Sequence, residues 1–363
     1  MMLSNDGGFS GATWQPYTQT VSWTLTTYGN YVLPRLVYAR YRDGSDAIHG
    51  NFFDDIIYDP SAPEGAVAFD AATLLPGMKL QAASQPLRVT STPDTELFLS
   101  FADDSSGMAE IQIGLTPDFA EATWQPYAGI VPMTFTEEGV QTVYVRTRDQ
   151  AGNTSAVVTD TLMVDTIPPL GEIYPLDKVV GSNTLSLTML LAGWDNISGV
   201  SDVRISTVES LENALWQPYA PEATVPISYT GVAQPLIYAQ FRDAAGNVSA
   251  VYTTTYLVDT TPPVLYVEVA PGDTLTRTLN ILVYDELSRI GEMHLSNDPL
   301  FLEGVVTLPY TQTVTWAFDA RRVVWVQIAD SVGNFSEPFP AYAHEGAAIA
   351  ESKVYLPLVL RQQ

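Results

Sequence analysis

The sequence predicts an all-β chain of tandem antiparallel two-sheet sandwiches arranged as an elongated rod, and three observations predict it. The string WQPY recurs, ending at Tyr17, Tyr127 and Tyr219, and a related TLPY ends at Tyr310, at intervals of 110, 92 and 91 residues. Between these strings apolar and polar residues alternate, and no segment sustains a 3.6-residue apolar period. Proline (25) and glycine (24) interrupt every candidate helix.

Self-similarity at a fixed period sets the organisation before any single element does. The first and fourth copies also continue alike, WQPYTQTVSW from Trp14 against TLPYTQTVTW from Thr307. A second marker, in YRDGSDAIHGN, TRDQAGNTS, FRDAAGNVS and IADSVGNFS, places aspartates at Asp43, Asp149, Asp243 and Asp330. Sixteen residues after the first three stand Asp59, Asp165 and Asp259, opening DPSAP, DTIPP and DTTPP. This acidic-proline punctuation bounds units at 1–60, 61–167, 168–261 and 262–345, followed by a tail at 346–363. The second unit is longer because of AATLLPGMKLQAASQPL, read as an inserted loop or an additional edge strand. A chain of 363 residues also exceeds what one hydrophobic core usually organises.

Within a unit, the punctuation is followed by an acidic, glycine-containing turn: DDSSG after Phe101, DNISG after Trp194, DELSRIG after Tyr284. WQPY comes next, and proline inside a strand places it at a sheet edge. Then Val143, Val145 and Thr147 alternate with Tyr144, Arg146 and Arg148, and Ile237, Ala239 and Phe241 alternate with Tyr238, Gln240 and Arg242. One face is buried and the other wet. The D-x-A-G-N string supplies a tight reversal, since Gly152 and Gly246 adopt positive φ readily and Asp or Asn closes the turn. The returning strands are expected over 155–164 and 249–258.

Short strands with frequent turn signals over a repeat near 92 residues fit a seven-stranded sandwich. The combination W-x-P-Y, Y-x-R-x-x-D-x-A-G-N-x-S and D-x-x-P-P, over residues 1–340, resembles bacterial immunoglobulin-like and fibronectin-III-like repeats. That resemblance implies immunoglobulin-like β-sandwiches serving as spacers in secreted exoproteins, adhesins and glycan-active enzymes. The ending SKVYLPLVLRQQ is similar to C-terminal tails on secreted proteins of Chloroflexi-type bacteria. The first unit departs from the pattern: Met1 falls where a third strand begins, so 1–60 is expected to form an incomplete sandwich with an exposed core edge.

Composition narrows the function. Against 41 Asp+Glu stand only 16 Lys+Arg, a net charge of −25, which repels nucleic acid and anionic membrane surfaces. With no cysteine, disulfides, thiolate metal sites and cysteine nucleophiles are excluded. No apolar run reaches membrane-spanning length, and MMLSNDGGFS lacks the parts of a secretory signal. Either export is signalled upstream or the protein is not exported; the resemblance implies the former, a monomeric fragment of a larger extracellular or cell-surface protein whose export signal is not in this chain.

Catalytic chemistry is not expected. His49, His294 and His344 fall in separate units or at the tail, with no metal-ligand or triad spacing, and phosphate-cradling glycine loops are absent. The adjacent carboxylates Asp54-Asp55, Asp103-Asp104 and Glu137-Glu138 would point to opposite faces if they lay on strands. Calcium is the metal best suited to the turn aspartates Asp149 and Asp243, the strand-end aspartates Asp165 and Asp259, and the acidic-turn residues Asp103, Asp104, Asp195 and Asp285. Side-chain to backbone bonding in turns explains the same residues without a metal, and takes precedence because no D-x-D-x-D spacing occurs. Four N-x-S sequons, at Asn153, Asn196, Asn247 and Asn334, carry no implication of glycosylation, three of them being the Gly-Asn turn.

Two functions remain. One is a non-catalytic spacer, display or adhesion segment. The other is a module binding polysaccharide or another surface protein through outward aromatic residues, for which Trp14, Trp124, Trp216, Tyr144 and Tyr238 are the candidate ligand residues. In the first reading each Trp instead folds over the outward Tyr and Arg of the neighbouring strand.

Overall fold

A computed structural model describes residues 1–29, 33–73 and 87–344. The expected insertion, over 74–86, and the tail at 346–363 lie outside the described residues. The chain divides into two compact units, one of Met1–Pro169 with Asp195–Gly199 and Asp243–Asn247, the other holding the remainder.

In the first unit, residues 1–57 contribute a single three-stranded sheet, ordered Met2–Ser4, Pro34–Arg42, Ile48–Ile57. Its last strand is exposed throughout, so Phe52, Phe53, Ile56 and Ile57 all face solvent by more than half. The sandwich that follows is complete. Glu64–Ala68, Asp94–Ala102 and Ile130–Thr134 form one sheet. The other runs Arg88–Thr90, Val158–Val164, Gly139–Asp149, Met108–Gly114, Gln125–Pro126. Between them lies a core of Leu97, Leu99, Ile111, Val143, Val145 and Leu162 with the edge-on pair Phe69–Phe135.

The second unit holds two sandwiches of the same plan. One packs Leu170–Pro175, Ser186–Trp194 and Glu222–Pro226 against Gln217–Pro218, Val200–Ser206, Leu236–Asp243 and Tyr252–Thr255. The other packs Val264–Val269, Thr276–Tyr284 and Thr313–Ala317 against Val306–Pro309, Ile290–Ser296, Val323–Asp330 and Phe339–Tyr342. Each has its own core, around Met189, Ile237 and Phe241 in one and Ile281, Leu295 and Val326 in the other. A three-stranded sheet of strands first, second and fifth facing a four-stranded sheet of the rest is the immunoglobulin/fibronectin-III-like arrangement.

The period-two pattern sets these faces. Val143, Val145, Thr147, Ile237, Ala239 and Phe241 are fully buried, while their alternating neighbours are half-exposed. The WQPY proline does mark an edge: Gln125–Pro126 and Gln217–Pro218 are two-residue strands at the ends of their sheets.

The returning strands start later than expected, at Val158 and Tyr252. Buried serines occupy the gap. The Ser155 hydroxyl accepts the Thr147 N–H at 2.9 Å and Ser249 does the same for Phe241 at 3.0 Å, so a side chain replaces a ladder bond there. The later strand also switches partner: Tyr252–Thr255 pairs with Leu236–Asp243, and Leu257–Asp259 runs parallel to Val179–Gly181.

Candidate functional site

The aromatic face is built from the edge strand inwards. Trp124 lies half-buried on the outer face of the sheet, with the Arg148 guanidinium 4.5 Å and that of Arg146 5.4 Å from its ring. Arg146 is covered on another side by Phe119 at 4.5 Å, and its Nε donates to Gln112 Oε1 at 2.7 Å. Arg148 is paired with Glu110.

The third repeat makes the same stack with the charge moved. Gln240 stands where Arg146 stands, and Arg204 on the adjoining strand replaces Gln112. Arg204 Nε donates to Gln240 Oε1 at 3.0 Å and its guanidinium lies 4.8 Å from Trp216. Arg242 lies 4.6 Å from the same ring, anchored on Asp202 at 2.9 Å. In the first repeat Arg42 lies 4.9 Å from Trp14. Among the described contacts, arginines rather than Tyr144 or Tyr238 cover the tryptophans. Tyr144 and Tyr238 are half-buried, opposite Thr159 and Thr253 across the ladder.

Sequence reasoning missed two partners of this face. The WQPY tyrosine reaches through the core to the opposite sheet: the Phe101 N–H donates to Tyr127 Oη at 3.2 Å and the Gly193 N–H to Tyr219 Oη at 2.9 Å. Tyr310 Oη donates to the Ile281 carbonyl at 3.0 Å. Its recurrence three residues after Trp was the available signal. The other is a bulky residue in left-handed backbone, Phe9, Phe119, Leu211 or Phe301, with φ between 52° and 56°, which local propensity disfavours.

The second feature gathers aspartates. Among the described residues, three trios, each offering one carboxylate oxygen per residue within 4.8 Å of the others, are Asp59, Asp103, Asp104; Asp165, Asp195, Asp243; and Asp259, Asp285, Asp330. The first two trios lie wholly in the first unit and the third in the second. Each combines the aspartate opening a proline junction with acidic turns of the following repeat. For buried members such as Asp259 and Asp330, like charges this close repel by about 3 kcal/mol per pair at an effective dielectric near 20.

Backbone donors hold each turn in a fixed pose. Asp103 Oδ2 accepts Ser105 and Gly107 N–H at 3.1 and 2.7 Å. Asp195 Oδ2 accepts Ile197 and Gly199 at 3.0 and 2.8 Å. Asp285 Oδ1 accepts Leu287 and Ser288 at 3.0 and 2.8 Å. In all three the other oxygen is buried without a hydrogen-bond partner. Asp59 Oδ2 and Asp165 Oδ2 take the N–H of Ser106 and Ser198, both at 3.0 Å. In the D-x-A-G-N turn, Asn247 Nδ2 donates to Asp243 Oδ2 at 2.8 Å and to the Asp165 carbonyl at 2.7 Å, and Asn153 and Asn334 repeat the arrangement. The glycine before each, Gly152, Gly246 and Gly333, has φ of 92–99°, as the turn requires.

Of the aspartates whose chemistry suits calcium in the sequence, Asp103, Asp104, Asp165, Asp195, Asp243, Asp259 and Asp285 fall in these trios, whereas Asp149 does not. Asp59 and Asp330, read only as repeat markers, do. Asp103 and Asp104 converge, contrary to the expectation for adjacent strand residues, because they sit in the turn that follows Asp94–Ala102. In the first repeat Asp43 takes a different partner, His49 Nε2 at 2.8 Å. That bond, with others from Ser45, holds its carboxyl well below the usual carboxylate range.

No family model matches the chain, and no curated protein matches it. Solved structures similar to it include the fibronectin(III)-like modules of Clostridium thermocellum CbhA, at 11% identity over 48% of this chain and 92% of that one, TM-score 0.31. Three N-terminal domains of the bacteriophage RB49 Highly Immunogenic Outer Capsid protein are similar at 9% identity over 79% and 100%, TM-score 0.40. A tetra-tandem repeat in the extending region of a large adhesion protein is similar at 13% identity over 85% and 80%, TM-score 0.25. At these scores the architecture rests on strand order. Among the described residues no helix is long and apolar enough to cross a membrane.

Proposed function

We propose that the chain is a non-catalytic spacer, display or adhesion segment of a larger secreted or surface protein of bacterial type. The observation that carries this reading is that the recurrent side chains are spent inside the protein. Trp124 and Trp216 are faced by arginines, those arginines are paired with Glu110, Gln112, Gln240 or Asp202, and the motif tyrosines bond across the core. A sugar-stacking platform needs an open aromatic face beside free polar donors, and these faces are stacked on cations.

The test is Trp124→Ala in the full chain. Two cation–π contacts and the packing of a half-buried ring predict a loss of about 1–3 kcal/mol, read as a lower melting temperature. Retention on immobilised polysaccharides is expected to be unchanged. Retention lost with stability intact would instead establish a glycan-binding module.

A further inference from the structure

We propose that the three aspartate trios are calcium sites, each binding one ion between a strand end at a proline junction and the acidic turns of the repeat that follows. The argument starts at Asp259. Its side chain is wholly buried, Oδ1 accepts Thr261 N and Oγ1 at 2.9 and 2.7 Å, and Oδ2 is enclosed near Ser288, the counterpart of the serines that bond Asp59 and Asp165, but receives no hydrogen bond of good geometry. Asp285 Oδ2 is enclosed without a hydrogen-bond partner, and both residues converge with the buried Asp330. Burying partnerless carboxylate oxygens together is unfavourable on its own terms, and a cation at their centre removes both the desolvation and the repulsion.

The arrangement recurs. Asp103 Oδ1 and Asp195 Oδ1 are left enclosed at the equivalent turn position of the other two trios. In each turn the backbone holds one oxygen and presents the other, which fixes the ligand before an ion arrives. Turn bonding alone accounts for the held oxygen and not for the presented one.

The donor set names the ion. Carboxylates without histidine or cysteine select a hard cation over zinc or copper. Opposite ligands on calcium, at about 2.3–2.6 Å each, stand roughly 4.6–5.2 Å apart, whereas magnesium at about 2.0–2.1 Å demands roughly 4.0–4.2 Å in a near-ideal octahedron. The oxygens of each trio lie within 4.8 Å of one another, a bound that both spans satisfy; calcium is favoured because the ligands come from a strand end and a distant turn, which suits its adaptable shell better than a near-ideal octahedron.

The experiment titrates calcium into the full chain stripped with chelator, by calorimetry and by thermal unfolding. Expected are three ions per chain and a rise in melting temperature on the order of 5–10 °C at saturation, with a smaller effect from magnesium. Asp285→Asn should lower the stoichiometry by one. The exposed Asp104→Asn, which leaves the cores untouched, should weaken one site, and Trp124→Ala should keep all three, so the spacer reading and this one fail separately. No heat and no shift at millimolar calcium, an undiminished ion count in Asp285→Asn, an unchanged calcium affinity in Asp104→Asn, or an equal response to magnesium would each overturn the proposal.

Discussion

On the aromatic face and at the aspartate trios the same sequence repeats itself, yet the two regions close differently. Around Trp216 each charged neighbour has a counterpart: Arg204 is bonded to Gln240, and Arg242 to Asp202. Around Asp285 the backbone donors satisfy one carboxylate oxygen and leave the other enclosed. Repetition by itself therefore does not separate scaffold from site. What separates them is whether the polar atoms are balanced inside the protein.

The largest break in this comparison is expected from Asn247→Ala. It removes the bonds to Asp243 and to the Asp165 carbonyl, one of them charge-assisted, so about 2–3 kcal/mol should be lost in chemical denaturation. An unchanged midpoint would mean that the Gly-Asn turn does not tie the junction.

A charge exchange sharpens the account of the aromatic face. Arg204→Gln alone and Gln240→Arg alone should each cost about 1 kcal/mol, because one leaves Gln paired with Gln and the other sets two guanidiniums side by side. The double variant restores the arrangement of Gln112 and Arg146 and should return to within about 0.5 kcal/mol of the starting protein. Additive losses in that cycle would show that the two repeats do not share one stack.

The smallest expected effect is pH-dependent. The Ser201 hydroxyl does most to hold the Asp202 carboxyl below its ordinary value; burial pushes the other way, and the Arg242 guanidinium adds to the lowering. A carboxyl with a depressed folded-state pKa contributes stability above its unfolded value of about 3.9 and loses it as pH falls through the folded value. Asp202→Asn should therefore melt lower than the parent at neutral pH, by under about 1 kcal/mol. The difference should shrink as pH falls below the ordinary carboxylate range and through the depressed folded-state value, and one that stays constant through the whole acid range would assign Asp202 a role other than its charge.

The sandwich plan was legible because it rests on period-two patterning and turn chemistry, both local. Val143, Val145 and Ile237 could be placed on the inner face from alternation alone, and Gly152 and Gly246 in their turns from the D-x-A-G-N string. The aspartates were legible as hard oxygen donors, but not as trios, since Asp165, Asp195 and Asp243 are brought together only by tertiary structure. The absence of a compact D-x-D-x-D string says little when ligands come from three separate segments. Tyr219 Oη bonding to the opposite sheet, and Leu211 in left-handed backbone, were hidden for a related reason: local preferences do not specify a cross-core partner.

The contrast between the two regions is tested most directly by thermal unfolding of the parent, Trp124→Ala and Asp285→Asn chains, each with chelator and with saturating calcium. Trp124→Ala is expected to melt lower than the parent in both conditions by the same amount, keeping the whole calcium increment, while Asp285→Asn loses part of that increment. A calcium increment that survives intact in Asp285→Asn, or disappears in Trp124→Ala, would contradict the division of the repeat into a closed aromatic scaffold and an open aspartate site.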